Sequence, residues 1–232
     1  MTTPQFERAR SAEAKQAREA AILEAAARLA LEHGIRTVTL TDIAEAVGMH
    51  KSAMLRYFET REDIFLQLAT TAWREWSASV RDQLARLSAG TGRGARRREW
   101  EQTAGEVAAA LASSLVSRPL FCDLLAHTPL NLERNVSVDR VRAFKILAIA
   151  EVAAIAATLS TITPLSVNEA TSVVTTATAM AGALWQMAAP RTTLRTLYES
   201  DPDLAHAVVD VEPRLTDILS ALITGYAARS SP

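Results

Sequence analysis

The sequence predicts an all-α protein in which a small N-terminal three-helix domain precedes a larger helical domain. Apolar residues recur at the three- and four-residue spacing of helices, and no convincing run alternates with period two. Glycine and proline number only eight each among 232 residues, which favours long uninterrupted helices. Two short helical patterns meet at Gly48, and this pairing indicates a helix-turn-helix.

The first domain is predicted from its capping signals, taken in chain order. Residues 1–10 are expected to be a flexible, basic-leaning arm, and a first helix follows from about Ser11 to His33. Gly34 ends that helix. Thr39 caps the next helix, together with the acidic residue that follows three positions later. Thr60 repeats the signal and starts a long helix to about Leu87. Residues 11–60 are therefore predicted to form the helix-turn-helix domain.

The second domain is predicted over residues 61–228, followed by a tail at 229–232. Ser88–Arg98 is the most loop-like stretch, and Ala189–Val211 is expected to be irregular. Ser166 forms a third capping box with Glu169. Five further helices are expected near Arg97–Ser117, Leu120–His127, Ser137–Ile162, Ser166–Met187 and Pro213–Ala228.

Composition restricts the class of protein. The net charge of −1 gives no general attraction to nucleic acid, so any DNA-binding surface must be local. The single cysteine, Cys122, excludes an internal disulfide and fits a reducing cytoplasm. The N-terminus lacks the apolar core of a secretory signal, and the apolar run Ile146–Leu159 is interrupted by Glu151 and too short to span a bilayer. We expect a cytoplasmic protein with no membrane partner.

The helix-turn-helix pattern separates buried positions from outward ones. Ile43, Val47, Met49, Met54 and Tyr57 fall where the helices must pack, and the turn residue Gly48 is expected to have a positive φ. The outward residues of the second helix can reach base edges and phosphates: His50, Lys51, Ser52, Ala53, Leu55 and Arg56. Thr39 and Thr41, at the start of the preceding helix, can donate to phosphate, although Thr39 suits helix capping alone.

The segment TLTDIAEAVGMHKSAMLRYFETREDIF resembles the DNA-binding motif of the TetR family of bacterial transcription regulators. The resemblance covers about the first quarter of the chain. It implies a helix-turn-helix DNA-binding domain, and a larger domain for ligand binding and dimerisation. It also implies that Tyr57 and Arg61 contact the DNA backbone, while Lys51, Ser52 and Arg56 contact bases.

The chain departs from the family pattern at the recognition helix. His50 stands where serine usually caps that helix, Ala53 replaces threonine, and Leu55 replaces tyrosine. Two hydrogen-bonding groups are thereby lost, so we expect a different operator from those of better-known members. Arg61 replaces a lysine and keeps its charge.

The C-terminal half holds material for a ligand pocket and a dimer interface. Candidate pocket residues are aromatic, adaptable or polar: Trp73, Trp76, Trp100, Phe121, Leu125, His127, Phe144, Met180 and Trp185. Ordinary core packing is the competing interpretation of each one. Small and apolar residues on the last two strong helices suit a two-fold dimer: Val173, Ala177, Ala181, Leu184, Leu215, Ile218, Leu219 and Leu222. Packing in the core of a single subunit would explain the same residues equally well.

The predicted function is a sequence-specific DNA-binding regulator, with double-stranded operator DNA, a second copy of the chain and an unidentified small molecule as partners. Repression relieved by a small hydrophobic or amphipathic ligand is expected, because repression is the family's common mode. The alternatives are an all-helical enzyme and a DNA-binding protein that needs no ligand. No His-Glu-x-x-His pair or glycine-rich phosphate loop is present, so no catalytic residue, metal ligand or cofactor is predicted.

Overall fold

The computed structural model describes the backbone of residues 4–88, 97–190 and 192–229, and the side chains of residues 12–87, 102–190 and 192–229. The described ranges hold helices and turns, in agreement with the predicted all-α class. The α-helices are α1 (Pro4–His33), α2 (Leu40–Ala46), α3 (Lys51–Met54), α4 (Arg61–Ser88), α5 (Arg97–Val116), α6 (Pro119–His127), α7 (Val138–Ile162), α8 (Val167–Ala188), α9 (Thr193–Ser200) and α10 (Val211–Arg229).

The first helix is longer than the sequence pattern suggested. It begins at Pro4 rather than near Ser11, so residues 4–10 continue the helix instead of forming a loose arm. Proline is well suited to the first helical position, and the Gln, Glu and Arg residues that follow it favour a helix. The helix ends as expected at Gly34, whose φ is +81° and whose N–H bonds to the carbonyl of Ala30 at 2.8 Å.

The long helix α4 connects the two domains. Its N-terminal end packs on α1, and its remainder packs on α5, α6 and α7. In the second domain α8 packs between α7 and α10, and it also contacts α5 and α6. Gly182 allows the close approach of α6, because a Cβ at this position would lie 2.8 Å from the backbone nitrogen of Ala126. One continuous apolar core runs through both domains.

The stretch Ala189–Val211 contains more regular structure than predicted. It holds α9 and a 3₁₀ helix at Pro202–Ala207, because the side chains of Thr192 and Asp201 cap these two elements. A π-helical segment, Thr128–Leu132, also extends α6 beyond His127. Most of the predicted Ser88–Arg98 loop lies outside the described residues, as do residues 230–232 of the predicted tail.

Candidate nucleic-acid interface and effector domain

The start of α2 is fixed by the predicted capping box. The Thr39 hydroxyl oxygen accepts from the Asp42 backbone N–H at 3.2 Å, and the Asp42 carboxylate accepts from the Thr39 N–H at 2.7 Å. The hydrogen bond from the Thr39 backbone and then that from its hydroxyl lower the pKa of Asp42. The Thr39 hydroxyl also donates to Asp42 at 2.8 Å, so it is engaged in capping. Thr41 is exposed on the same turn.

The turn between the two helices has the backbone conformation that the sequence predicts. Gly48 has a φ of +65°, which residues with a Cβ rarely adopt. Its N–H bonds to the carbonyl of Glu45 at 3.0 Å, and the Met49 N–H bonds to the carbonyl of Ala44 at 2.9 Å. Ile43 and Ala44 are buried beneath the turn, which fixes the direction in which the next helix leaves.

The recognition helix α3 is short and is held by two buried anchors. It runs only from Lys51 to Met54, and His50 caps it with its backbone alone, since no side-chain cap bond forms. Met54 is buried as predicted, and Phe58 is buried as well. These anchors leave the remaining side chains of the segment at the surface.

The described structure places most predicted DNA-contacting residues on one exposed segment. The exposed residues are Thr39, Thr41, His50, Lys51, Ser52, Leu55 and Arg56. Ala53 and Tyr57 are half-buried, so only part of each side chain lies at the surface.

Arg61 is placed differently from the expectation of a phosphate contact. Its guanidinium donates to the backbone carbonyls of Ile35 and Val38 and pairs with Glu62 at 2.9 Å. It also stacks on Phe65, with 4.8 Å between the guanidinium carbon and the ring centroid. The side chain is 16% exposed, so it braces the loop before α2 rather than pointing to solvent. The two carbonyls lie 26 and 23 residues before Arg61, so no local sequence pattern reveals these hydrogen bonds.

Three of the predicted pocket aromatics contact one another in the core. Trp73, Trp76 and Phe121 are buried, with ring centroids 5.4 to 5.7 Å apart. The Trp76 indole N–H donates to the Ser114 hydroxyl at 2.9 Å, which satisfies its one polar atom.

Two other predicted pocket residues do line clefts. Phe144 lies in a cleft of about 560 Å³ between α4 and α7, and Trp185 lies in one of about 160 Å³ between α1, α6 and α8. Leu125 and Met180 are half-buried and lie outside these clefts. The side chain of Trp100 lies outside the described residues.

The predicted dimer residues lie in or beside the core of a single subunit. Six of them are buried: Val173, Ala177, Ala181, Leu184, Leu215 and Leu219. Ile218 and Leu222 are half-buried against the same core. The helices α8 and α10 pack on each other and on α5 within the subunit.

Asp123 joins three elements at the boundary between the domains. One carboxylate oxygen accepts from the backbone N–H of Ile35 at 3.0 Å, and the other accepts from the Gln186 amide at 2.7 Å. His127 lies 3.4 Å from that second oxygen. Burial acts to raise the pKa of Asp123, but the hydrogen bonds from His127, Ile35 and Gln186 outweigh burial and lower it. No sequence pattern points to Gln186, which lies 63 residues from Asp123.

Two findings concern Cys122 and metal binding. Burial, and then the charge of Asp123, raise the pKa of Cys122 to about 12, so its thiol stays protonated at neutral pH. Within the described ranges, no three His, Cys, Asp or Glu side chains are grouped to hold a metal ion.

A helix-turn-helix with an exposed recognition segment, joined to a larger helical domain, defines a DNA-binding regulator of the one-component type. The model of "Bacterial regulatory proteins, tetR family" matches residues 22–68. The model of "Tetracyclin repressor-like, C-terminal domain" matches residues 70–230. The chain belongs to the TetR family of transcriptional regulators.

Solved structures show the same fold. The fatty acid degradation regulator FadR from Bacillus halodurans is 14% identical, with a TM-score of 0.54 over 88% of this chain and 94% of that chain. The regulator FadR from Bacillus subtilis in complex with stearoyl-CoA is 15% identical, with a TM-score of 0.51 over 88% of this chain and 97% of that chain. Searching the curated proteins gives no significant match.

Proposed function

We propose that this TetR-family regulator is a repressor that binds a palindromic operator as a homodimer and is released by a small hydrophobic or amphipathic ligand. It would act in the bacterial cytoplasm, where its DNA target lies. The observation that carries the proposal is the exposed recognition segment. Lys51, Ser52 and Arg56 have exposed side chains that form no hydrogen bond or ion pair with any other described residue.

Each of these side chains suits a particular contact with DNA. Arg56 and Lys51 can donate to guanine O6 and N7 in the major groove, and Ser52 can bond to several bases. Leu55 is 50% exposed and offers an apolar surface to a thymine methyl group. Thr41, which is exposed at the start of α2, can donate to a phosphate. Arg61 is left out of this proposed contact set because its guanidinium is engaged within the protein.

The dimer follows from the size of the recognition segment. One four-residue α3 reads only a few base pairs, whereas two copies related by a two-fold axis can read two half-sites. Such half-sites lie one helical turn apart, roughly 34–36 Å, on one side of the duplex. An inverted repeat is therefore the expected operator.

The cleft between α4 and α7 is the proposed ligand site. Phe144 and Leu147 line it with apolar surface, and the cleft also holds two arginines and two acids, of which Arg140 and Asp63 lie 3.7 Å apart. This combination of apolar and charged side chains suits an amphipathic molecule. The helix α4 begins in the DNA-binding domain, so a ligand that moved α4 would also move the recognition segment.

The test is fluorescence anisotropy with purified full-length protein and a duplex recovered by selection from random DNA. Lys51→Ala and Arg56→Ala should each weaken binding by about 1–3 kcal/mol, roughly 5- to 150-fold. Arg142→Ala, which removes an exposed arginine on α7, is the matched control and should bind as the wild type does. Equal affinities for all four proteins would contradict the proposed DNA contacts.

Ligand release is tested by adding candidate molecules to the protein–DNA complex. Stearoyl-CoA is a suitable first probe because the Bacillus subtilis FadR structure contains it, and shorter acyl-CoAs and free fatty acids follow. Dissociation by one of them, lost in Phe144→Asp, would support the cleft. If the ligand dissociates Phe144→Asp from DNA as well as it dissociates the wild type, the ligand binds elsewhere.

A further inference from the structure

The cleft of about 160 Å³ that Trp185 lines lies between the two domains, and we call it the boundary cleft. One wall is formed by residues 30–34, at the end of α1 in the DNA-binding domain. The other walls come from the larger domain, with Pro119 and Asp123 on α6 and Trp185 near the end of α8. The α4–α7 cleft that is proposed above for the regulating ligand shares no residue with it. The boundary cleft is therefore a separate candidate site.

Hydrogen bonds hold the walls of the boundary cleft in place. The Gln186 amide donates to the Asp123 carboxylate at 2.7 Å and so connects α8 to α6. The Thr192 hydroxyl donates to the backbone carbonyl of Ala189 at 2.7 Å. Ala189 lines the cleft with a φ of +43°, a left-handed conformation that residues with a Cβ rarely adopt. The cleft is therefore already formed by contacts within the protein, as small-molecule sites usually are.

The ionisable side chains that line the boundary cleft, among the described residues, are two acids and one histidine: Glu32, Asp123 and His33. Glu32 lies 3.4 Å from Arg28, and Asp123 lies 3.4 Å from His127. Neither of these two partners lines the cleft itself. Since no lysine or arginine of the described ranges lines it either, its walls favour a positively charged molecule over an anion.

The remaining lining of the boundary cleft is mostly apolar. Leu31, Leu120 and Pro190 supply aliphatic surface, and the half-buried Trp185 supplies an aromatic ring. The π-electrons of an indole ring attract cations, and proteins use this attraction to recognise quaternary ammonium groups. The volume of the cleft lies below the ~300 Å³ at which pockets for drug-sized ligands begin. The lining and the volume together suit a small organic cation.

We propose that the boundary cleft binds a small organic cation, whose ammonium group is held by the indole ring of Trp185 and the carboxylates of Glu32 and Asp123. This inference goes beyond the proposed function, because it adds a second ligand site and does not depend on DNA binding. The walls of the cleft belong to both domains, so a bound cation would favour the relative orientation of the domains seen in this structure.

The test is isothermal titration calorimetry of the full chain with choline and with its neutral carbon analogue, in which a tert-butyl group replaces the trimethylammonium. Choline should bind about 5- to 30-fold more tightly, because only the cation is attracted to the ring and the carboxylates. Trp185→Leu should weaken choline binding about fivefold or more, and Glu32→Gln about two- to fivefold. Glu212→Gln, the same substitution at an exposed acid of α10, is the control and should bind choline as the wild type does. Far-UV circular dichroism should show unchanged helix content in every variant.

Amide hydrogen exchange locates the bound cation. Choline should slow the exchange of the Ile35 N–H, which bonds to Asp123 at the cleft. Equal affinities for choline and its neutral analogue, no binding at millimolar choline, or wild-type affinity in both Trp185→Leu and Glu32→Gln would overturn the inference. Slower exchange around Phe144 alone would assign choline to the α4–α7 cleft and overturn it as well. None of these measurements involves DNA, so a chain that binds choline as expected but selects no DNA sequence would contradict only the proposed function.

Discussion

The carboxylate of Asp123 and the backbone N–H of Ile35 form a hydrogen bond of 3.0 Å between α6 and the DNA-binding domain. The two residues are 88 positions apart, and Ile35 begins the loop that leads to α2. The other carboxylate oxygen accepts from Gln186 of α8. Asp123 therefore connects the DNA-binding domain to both α6 and α8 of the larger domain. We expect this contact to stabilise the orientation of the DNA-binding domain relative to the larger domain.

Asp123→Ala should destabilise the protein by about 1–3 kcal/mol, since the Ile35 N–H and the Gln186 amide both lose a part-buried charged acceptor. Urea unfolding measures the loss, and amide hydrogen exchange should show faster exchange at Ile35. Asp217→Ala, an exposed acid on α10, is the control and should change stability by less than about 0.5 kcal/mol. Unchanged protection of Ile35 in Asp123→Ala would show that this hydrogen bond contributes nothing.

The Asp123 contact should also depend on pH. Its pKa is lowered in the folded state, so its stabilisation is present above the unfolded pKa of about 3.9 and is lost as pH falls through the folded pKa. The free energy of unfolding of the wild type minus that of Asp123→Asn should therefore be constant near neutrality and should shrink below about pH 4. Urea titrations across this range provide the measurement. A difference that stays constant down to acid pH would mean that the carboxylate charge is irrelevant.

Arg61→Gln should lower stability without changing the salt dependence of DNA binding. The variant loses the bonds to two backbone carbonyls, a cost of about 1.5–3 kcal/mol for a charged donor. Arg56→Gln should have the opposite effect. Its thermal stability should be unchanged, and the slope of log binding constant against log salt concentration should fall by about one if Arg56 also contacts a phosphate. Thermal melts and anisotropy at several salt concentrations distinguish the two. Should Arg61→Gln melt normally and reduce the slope, the phosphate contact implied by family resemblance would be correct.

Gly48→Ala should destabilise the helix-turn-helix by about 1–2 kcal/mol, because its φ of +65° is strained for any residue with a Cβ. Space is not limiting, since no atom lies within 4 Å of the added carbon. Gly105→Ala, in the open middle of α5, is the matched control and should stabilise by about 0.5–1 kcal/mol. Chemical denaturation compares the two. Equal effects of the two substitutions would show that backbone strain at the turn is unimportant.

The helix-turn-helix could be predicted because its determinants are local. The Thr39–Asp42 box and the left-handed Gly48 lie within ten residues of each other, and their chemistry fixes the backbone directly. The Ser166–Glu169 box at the start of α8 was predictable for the same reason. The hydrogen bonds of Arg61 could not be predicted, because its partners are backbone carbonyls of an earlier loop that lie near it only in the folded chain.

The effector domain was less predictable because burial is a tertiary property. On α8 the buried line of Val173, Ala177 and Ala181 and the exposed line of Ala179 and Ala183 are both small and largely apolar. Helical periodicity identifies both lines but does not say which one faces the core, so the sequence pattern fits a dimer surface and a monomer core equally well. Spacing likewise does not separate a pocket aromatic from a core one, since the indole N–H of Trp76 donates to a serine hydroxyl 38 residues away.

Selection of duplexes from a random-sequence DNA library by the purified full-length protein, at moderate salt, tests the central claim most directly. We predict enrichment of an inverted repeat whose half-sites are about 10 bp apart, centre to centre, with enrichment lost in Lys51→Ala and Arg56→Ala. Binding without any enriched sequence, weakening uniformly as salt rises, would show contact with phosphates alone. That result would contradict a sequence-specific role for the α3 segment.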